Sequence, residues 1–479
     1  MIAKYDLLVI GGGSGGLIAA TYGSRLGARV VLIERDRIGG DCLWTGCVPS
    51  KALIAAASER SALTRATRFD AHSTRVGDLD FQAVMDSVRR AQQRVGQHDS
   101  AEHLMSLGVE VIFGSPSFID AHTVTVDGRD ITARKVIIAT GSHPGVSDID
   151  GLDSCGALDN ESVWQLQALP RRLAVLGGGP IGVELGQAFA RLGSSVTIIE
   201  AADRLLPRDD RDVSQVVGQV LQDDGIVVHC DTKAIRIERC GDAQLVITQS
   251  RGGANSFEAD ELLVALGRTP RTDGLGLTRV GIAHSEHGIV VDNYLRTTAK
   301  GVYAIGDVNG LQPFTHAAAD QARIVLRNAL TPSRRKVRIT EIPRVTFTDP
   351  EVAHLGHTEH EARALGSDVE TFRADYADLD RAICEDRTDG FAKLVVERSG
   401  RLLGAQIVGR GAGETIALCA LIMQRAGNVS ELTQATLPYP TRSEIVQQAA
   451  LKYFDAHMHD STSVRTLRNL LALRRRITR

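Results

Sequence analysis

The chain has 479 residues, with 55 Lys and Arg against 58 Asp and Glu and a net charge of -3, so it has no global electrostatic pull toward nucleic acid or an anionic bilayer. That length exceeds what one hydrophobic core supports and implies two to four domains. No apolar run reaches the roughly 18 residues that a membrane-spanning helix needs, and "MIAKYD" passes into "LLVIGGG" without the cationic segment or cleavage site of a signal peptide.

The first predicted element is the apolar strand "YDLLVI" (5–10), followed by a glycine turn, a helical pattern and a second β-branched strand ending at Glu34 and Arg35. Gly11, Gly13 and Gly16 in the turn allow a pyrophosphate to approach a helix N-terminus closely. Glu34, 18 residues beyond Gly16, is placed to accept from a ribose hydroxyl. The pattern is a βαβ dinucleotide unit.

Next comes "IGGDCLWTGCVPSKAL" (38–53), with Cys42 and Cys47 five positions apart. A metal clamp, a structural staple and a redox pair are the three readings. A metal would want further Cys or His at short spacing, and the segment supplies none; no metal site is expected. All seven cysteines (42, 47, 155, 230, 240, 384, 419) are thinly spread, unlike a secreted disulfide framework. We therefore expect a reducing, cytoplasmic location, in which a structural staple is disfavoured. The other five cysteines read as small buried apolar residues.

The apolar strand "VIIATGSHP" (136–144) closes this unit and brings in Thr140 and Gly141. The unit then repeats at an offset of 166 residues: "GGGPIGVELGQAFARLGSSVTIIEA" (177–201) carries Gly177, Gly179, Pro180, Gly182 and, at its strand end, Glu200. The strand "LLVALGRTP" (262–270), with Gly267, closes it in the same way. Two dinucleotide sites in one chain imply a tightly held flavin and an exchanging nicotinamide, since hydride passes between cofactors held face to face. That context favours the redox reading of the cysteines. Further on, "GVYAIGDVNG" (301–310) is a strand running into Gly306 and Asp307, whose carboxylate can accept from a polyol chain. His354, His357 and His360 read as surface residues, and "STSVRTLRNLLALRRRITR" as a solvated, basic terminal helix.

On "GGDCLWTGCVPSK", "GVYAIGDV" and "PRVTFTDPEVAHLG" (343–356), the sequence resembles the flavoprotein disulfide reductases from about residue 5 to about residue 455. The resemblance implies an α/β fold with two Rossmann-like domains, for FAD and NAD(P), and a C-terminal α+β dimerisation domain. The expected boundaries are 1–148 and 273–338 for FAD, 149–272 for NAD(P), 339–460 for the interface and 461–479 for the tail. It implies a homodimer using FAD and NADH, with NADPH possible. Gly40, Asp41, Lys51 and His316 join the cofactor contacts on the same basis. Cys47 becomes the thiolate beside the flavin and Cys42 the interchange thiol. The helix opened by "VPSK" would lower the Cys47 pKa by its dipole. Lys51 and Glu184 become a pair at the flavin ring, and Pro180 stands where the family often has an aromatic gate.

One position departs from the disulfide-reducing members. Tyr439 occupies the place of their proton-shuttling histidine, while Pro440 and the acid Glu444 are kept. Tyrosine there is similar to mercuric reductase, although the last cysteine of this chain is Cys419. A metal ion or small oxidant is therefore the expected electron acceptor. A dihydrolipoamide dehydrogenase or other thiol-disulfide reductase, or a flavoprotein docking subunit of a multienzyme complex, is the alternative.

Overall fold

The structure, a computed structural model, describes residues 4–66, 77–145, 147–241, 243–366, 368–458 and 462–477. Residues 461, 478 and 479 of the basic tail lie outside them. The chain divides into two compact units, residues 1–205 with 221–339, and residues 206–220 with 340–479.

The first unit is built on two parallel sheets. In one, the strands Glu110–Phe113, Val30–Glu34, Tyr5–Ile10, Arg129–Ile138 and Val302–Ala304 lie side by side, each pair parallel. An antiparallel hairpin, Ser117–Asp120 with Thr123–Val126, extends the sheet from the first half of Arg129–Ile138. In the other, Val227–His229, Ser195–Ile199, Arg172–Leu176 and Glu261–Val264 form a four-stranded parallel sheet. A three-stranded antiparallel meander over residues 232–259 accompanies it. Leu7, Leu8, Val9 and Ile10 are all buried, as a parallel strand covered on both faces requires, and this is why the segment reads as an unbroken apolar run.

In each sheet a strand ends in a glycine loop that feeds a helix, Ser14–Arg25 or Pro180–Leu192. A Cβ on Gly16 would stand 1.8 Å from the carbonyl oxygen of Gly11, and one on Gly182 would stand 1.9 Å from that of Gly177. Gly11 and Gly177 adopt φ of 105° and 107°. Glycine is therefore imposed by space at one position of each loop and by backbone conformation at the other.

The second unit is a five-stranded antiparallel sheet in the order Arg344–Thr346, Glu351–Gly356, Leu402–Gly409, Phe391–Glu397, Val369–Asp375. The helices Ala412–Gln424 and Glu444–His457 bury Ile416, Cys419, Ile445 and Val446 in its core. Residues 206–220 are tied to this sheet by partly buried ion pairs. Lys393 Nζ lies 2.8 Å from Asp210 and 2.9 Å from Asp212, and Arg344 lies 2.8 Å from Asp209. Three acids in a short stretch are thus matched by cations from the sheet, which offsets the cost of desolvating them.

Two expectations are corrected here. His354 is not a surface residue: it is 2% exposed. Its Nε2 lies 2.9 Å from the carbonyl oxygen of Gly356, and Nδ1 lies 3.6 Å from Asp209. Burial, with the nearby Arg344 cation, holds its pKa down at about 4, so it is neutral in ordinary buffers. Of the five outlying cysteines, Cys155 and Cys419 are buried as expected, but Cys230 is half-buried and Cys240 and Cys384 are exposed. The basic tail forms a helix, Thr462–Ile477. Among the described residues no helix is long and apolar enough to cross a membrane.

Candidate active site

The sequence between the two cysteines folds as one short helical turn, Gly40–Trp44, followed by the long helix Cys47–Arg65. Cys47 is the first residue of that helix, where the unpaired N–H groups and the helix dipole favour negative charge. A second helix start meets it there: the hydroxyl of Thr315, first residue of Thr315–Leu330, lies 3.3 Å from Cys47 Sγ. Lys51, one turn along, donates from Nζ to Glu184 Oε2 at 2.7 Å. Glu184 is buried on the helix of the second glycine loop, so the pair ties the helix that begins at Cys47 to the second dinucleotide-like motif.

The two thiols are free and close enough to share a hydrogen bond, which splits their acidities. The hydrogen bond from Cys42 pulls the Cys47 pKa down to about 6, with Thr315 and Lys51 adding to the effect against burial and the Asp41 charge. The Cys42 pKa moves up, through its hydrogen bond to Cys47 and through burial. One thiol is set to be the anion and the other to keep the proton.

Around this pair the glycine loops have the features of dinucleotide cradles. The helix Ser14–Arg25 starts after Gly13 with no side-chain cap, and Pro180–Leu192 starts after Gly179 likewise. Their first N–H groups therefore have no side chain in the way of an anion. Gly13 packs on Gly40, where a Cβ would fall 2.7 Å from the Gly13 Cα; the first loop and the redox loop share one surface. Glu34 Oε2 accepts from the N–H of Gly12 at 2.6 Å, and Glu200 Oε2 from that of Gly178 at 2.6 Å. Each strand-end carboxylate is thus held against its own loop. These features fit a dinucleotide at each of the two motifs.

The remaining predicted residues fall into three groups. Thr140 donates to the carbonyl oxygen of Arg271 at 2.7 Å, and Gly141 and Gly267, with φ of 72° and 117°, sit where the paired strands Ser142–Pro144 and Arg268–Pro270 begin. Asp307 accepts from Ser142 Oγ at 2.6 Å, and burial raises its pKa. Arg35, Pro180 and His316 are exposed, the last with its ring stacked on Phe314. In the second unit Tyr439 is 72% exposed and donates to Asp380 Oδ2 at 2.7 Å. Glu444 caps its own turn, accepting from the N–H of Thr441 at 2.9 Å.

Three site residues went unseen in the sequence: Thr315, Ser142 and Arg268. The one local signal was the arginine of "LGRTP", a cation set between a strand-ending glycine and a proline.

Comparison with known proteins shows the family. Residues 5–322 match the family described as pyridine nucleotide-disulphide oxidoreductase, and residues 342–450 match the dimerisation domain of that family. The chain belongs to the pyridine nucleotide-disulphide oxidoreductases. Like the others of its family, which are FAD-dependent with NAD(P)H as reductant, this oxidoreductase has the mixed α/β fold with a C-terminal dimerisation domain. It is 35% identical to a mercuric reductase of Staphylococcus aureus over 451 residues, 94% of this chain and 82% of that one. It is 36% identical to a dihydrolipoyl dehydrogenase of Thermus scotoductus over 458 residues, 93% and 96% of the two chains. Among solved structures it resembles the Cu(II) complex of the HOCl-induced flavoprotein disulfide reductase RclA from Escherichia coli. The TM-score is 0.82 at 30% identity, covering 92% of this oxidoreductase and 98% of that chain.

Proposed function

We propose that this oxidoreductase carries reducing equivalents from NADH, through FAD, to a Cys42–Cys47 disulfide and on to a metal ion or small oxidant. The observation that carries the reading is the polarised thiol pair, Cys47 at the meeting of two helix starts and Cys42 held protonated beside it. When bound, FAD supplies a two-electron relay between nicotinamide and disulfide. Gly11, Gly13 and Gly16 hold its pyrophosphate, while Lys51, fixed by Glu184, orients its ring system. Opening the disulfide takes two electrons and one proton, breaks the S–S bond and leaves Cys47 as thiolate and Cys42 as thiol. Cys42 then meets the acceptor. The domain boundaries given above, with FAD and nicotinamide on successive segments and a homodimer formed through the C-terminal domain, belong to the same proposal.

The relatives support a metal or oxidant as acceptor, since one is named for mercuric ion and another was solved with Cu(II). The similarity to dihydrolipoyl dehydrogenase supports a dithiol substrate as the second reading, and Tyr439 opposes it. A panel of mercuric ion, cupric ion, quinones, glutathione disulfide and lipoamide with NADH tests the choice. Turnover of the metals or quinones well above that of the disulfides is the expected result, and the reverse order would reject it.

NADH should be preferred to NADPH by about 10- to 100-fold in kcat/KM, because a 2'-phosphate would meet the Glu200 carboxylate. The residues after it are Ala201 and Ala202, and Arg204 pairs with Asp203 at 2.8 Å. Equal values for the two cofactors would reject Glu200 as the discriminating group. Lys51→Met should raise the pH midpoint of Cys47 thiolate formation by about one unit, since it removes a favourable charge. The pH dependence of alkylation in the Cys42→Ser background measures this, and an unmoved midpoint would show that Lys51 does not act on the thiol.

A further inference from the structure

Asp41 immediately precedes the interchange cysteine, and a carboxylate has the wrong sign to hold a pyrophosphate. In the structure both of its oxygens point elsewhere. Oδ1 accepts from Thr45 Oγ1 at 2.6 Å and from Asn160 Nδ2 at 3.4 Å. Oδ2 lies 3.4 Å from the Arg268 guanidinium, which is only 16% exposed. The Asp41 carbonyl oxygen accepts from the N–H groups of Thr45 and Gly46 at 2.9 and 2.6 Å. Its side chain also fills the space beside Gly46, where a Cβ would stand 2.8 Å from Oδ2. One residue thus braces the loop from end to end between the two cysteines.

Arg268 belongs to a second network. Its Nε donates to Ser142 Oγ at 2.8 Å, Ser142 donates to Asp307 Oδ2 at 2.6 Å, and Nε stands 3.9 Å from the same oxygen. One largely buried cation therefore serves two carboxylates, one at the redox loop and one at a sheet strand's end. The other groups facing Cys47 are Cys42, Lys51 with Glu184 behind it, and Thr315.

We propose that Asp41 is a positioning residue of the redox loop: its Oδ1 braces Thr45, and its charge, balanced by Arg268, sets how readily Cys47 holds a negative charge. The proposal rests on the redox role given to Cys42 and Cys47 above, but not on any choice of acceptor. Electrostatics dictates opposite signs for the two partners. Asp41→Asn keeps an oxygen for Thr45 and removes one negative charge from the site, so the thiolate is favoured. Arg268→Gln leaves Asp41 unbalanced, so the thiolate is disfavoured. A Coulomb interaction over several ångströms in a water-rich site corresponds to about half a pH unit.

The test is the pH dependence of iodoacetamide alkylation of Cys47, in FAD-loaded enzyme carrying Cys42→Ser, with no electron acceptor present. Asp41→Asn should lower the midpoint by about half a unit, Arg268→Gln should raise it by a similar amount, and the double variant should return close to the parent. Thr45→Val, which removes the brace but not the charge, should leave the midpoint in place and change the alkylation rate at the high-pH plateau. A loop that is merely loosened gives shifts of one sign in all variants, and that outcome would overturn the proposal. So would a loss of FAD from Asp41→Asn with no change of midpoint, which would return Asp41 to the cofactor cradle. Since alkylation needs no turnover, a failed acceptor panel and a failed pair of shifts are separable results.

Discussion

Cys47→Ser will retain FAD, lose the long-wavelength absorbance of a thiolate lying against it, and cut acceptor reduction by about 10³-fold or more, the scale seen when a reacting nucleophile is removed. Cys42→Ser will lose activity equally and behave oppositely in the spectrum. Its Cys47 has no disulfide partner and stays a thiolate, so the band is present before any reductant is added. The pH dependence has a fixed sign. Cys47 has its pKa lowered to about 6 by the hydrogen bond from Cys42, Thr315 and Lys51. The band in Cys42→Ser is therefore full near pH 8 and fades as pH falls through about 6, provided the serine hydroxyl replaces the Cys42 hydrogen bond. Anaerobic absorbance titrations of both variants check this. If Cys47→Ser keeps the band and Cys42→Ser lacks it, the two roles are exchanged, and if both turn over the acceptor normally the disulfide is not on the route.

What could be read from the sequence was whatever chemistry imposes locally. A Cβ at Gly16 or Gly182 would collide with a carbonyl five residues earlier, so those glycines announce the loop without any knowledge of the fold. The parallel strands announce themselves because both faces are covered, as in "LLVI". The Cys42–Cys47 spacing places the second cysteine on a helix start. Thr315 is 268 residues from Cys47 and reaches it only because the strand Val302–Ala304 joins the sheet beside Arg129–Ile138, aiming the following helix at the site. No local pattern encodes that. Arg268 and Ser142 face Asp41 and Asp307 through pairing of two short strands that lie more than a hundred residues apart. His354 was misread for a related reason. The three histidines read as surface residues, but Glu351–Gly356 is an inner strand of its sheet, and Gln406 and the Gly356 carbonyl partner the ring there.

The last expected result concerns Tyr439 and follows from what dithiol exchange requires: the attacking thiol must lose a proton and the leaving thiolate must gain one, through a group that titrates near neutrality. Tyrosine starts far from that range, and the structure moves it further. The hydrogen bond to Asp380, and then the charge of that carboxylate, raise the phenol pKa. Glu444, which could orient an imidazole, is turned to the Thr441 N–H. Turnover of glutathione disulfide or lipoamide should therefore fall short of turnover with cupric ion, mercuric ion or quinones by about 10²- to 10⁴-fold, the usual worth of general acid-base help. Tyr439→His should recover part of that deficit, with an activity that declines as the new imidazole protonates below about pH 6.5. Tyr439→Phe should leave quinone reduction unchanged, because no proton is asked of this position there. If the homodimer places this turn against Cys42 of the partner subunit, dilution to monomers will abolish acceptor reduction while FAD stays bound. Robust wild-type turnover of lipoamide that survives Tyr439→Phe would mean that protons reach Cys42 by a different route, and the dithiol reading would then replace the metal and oxidant one.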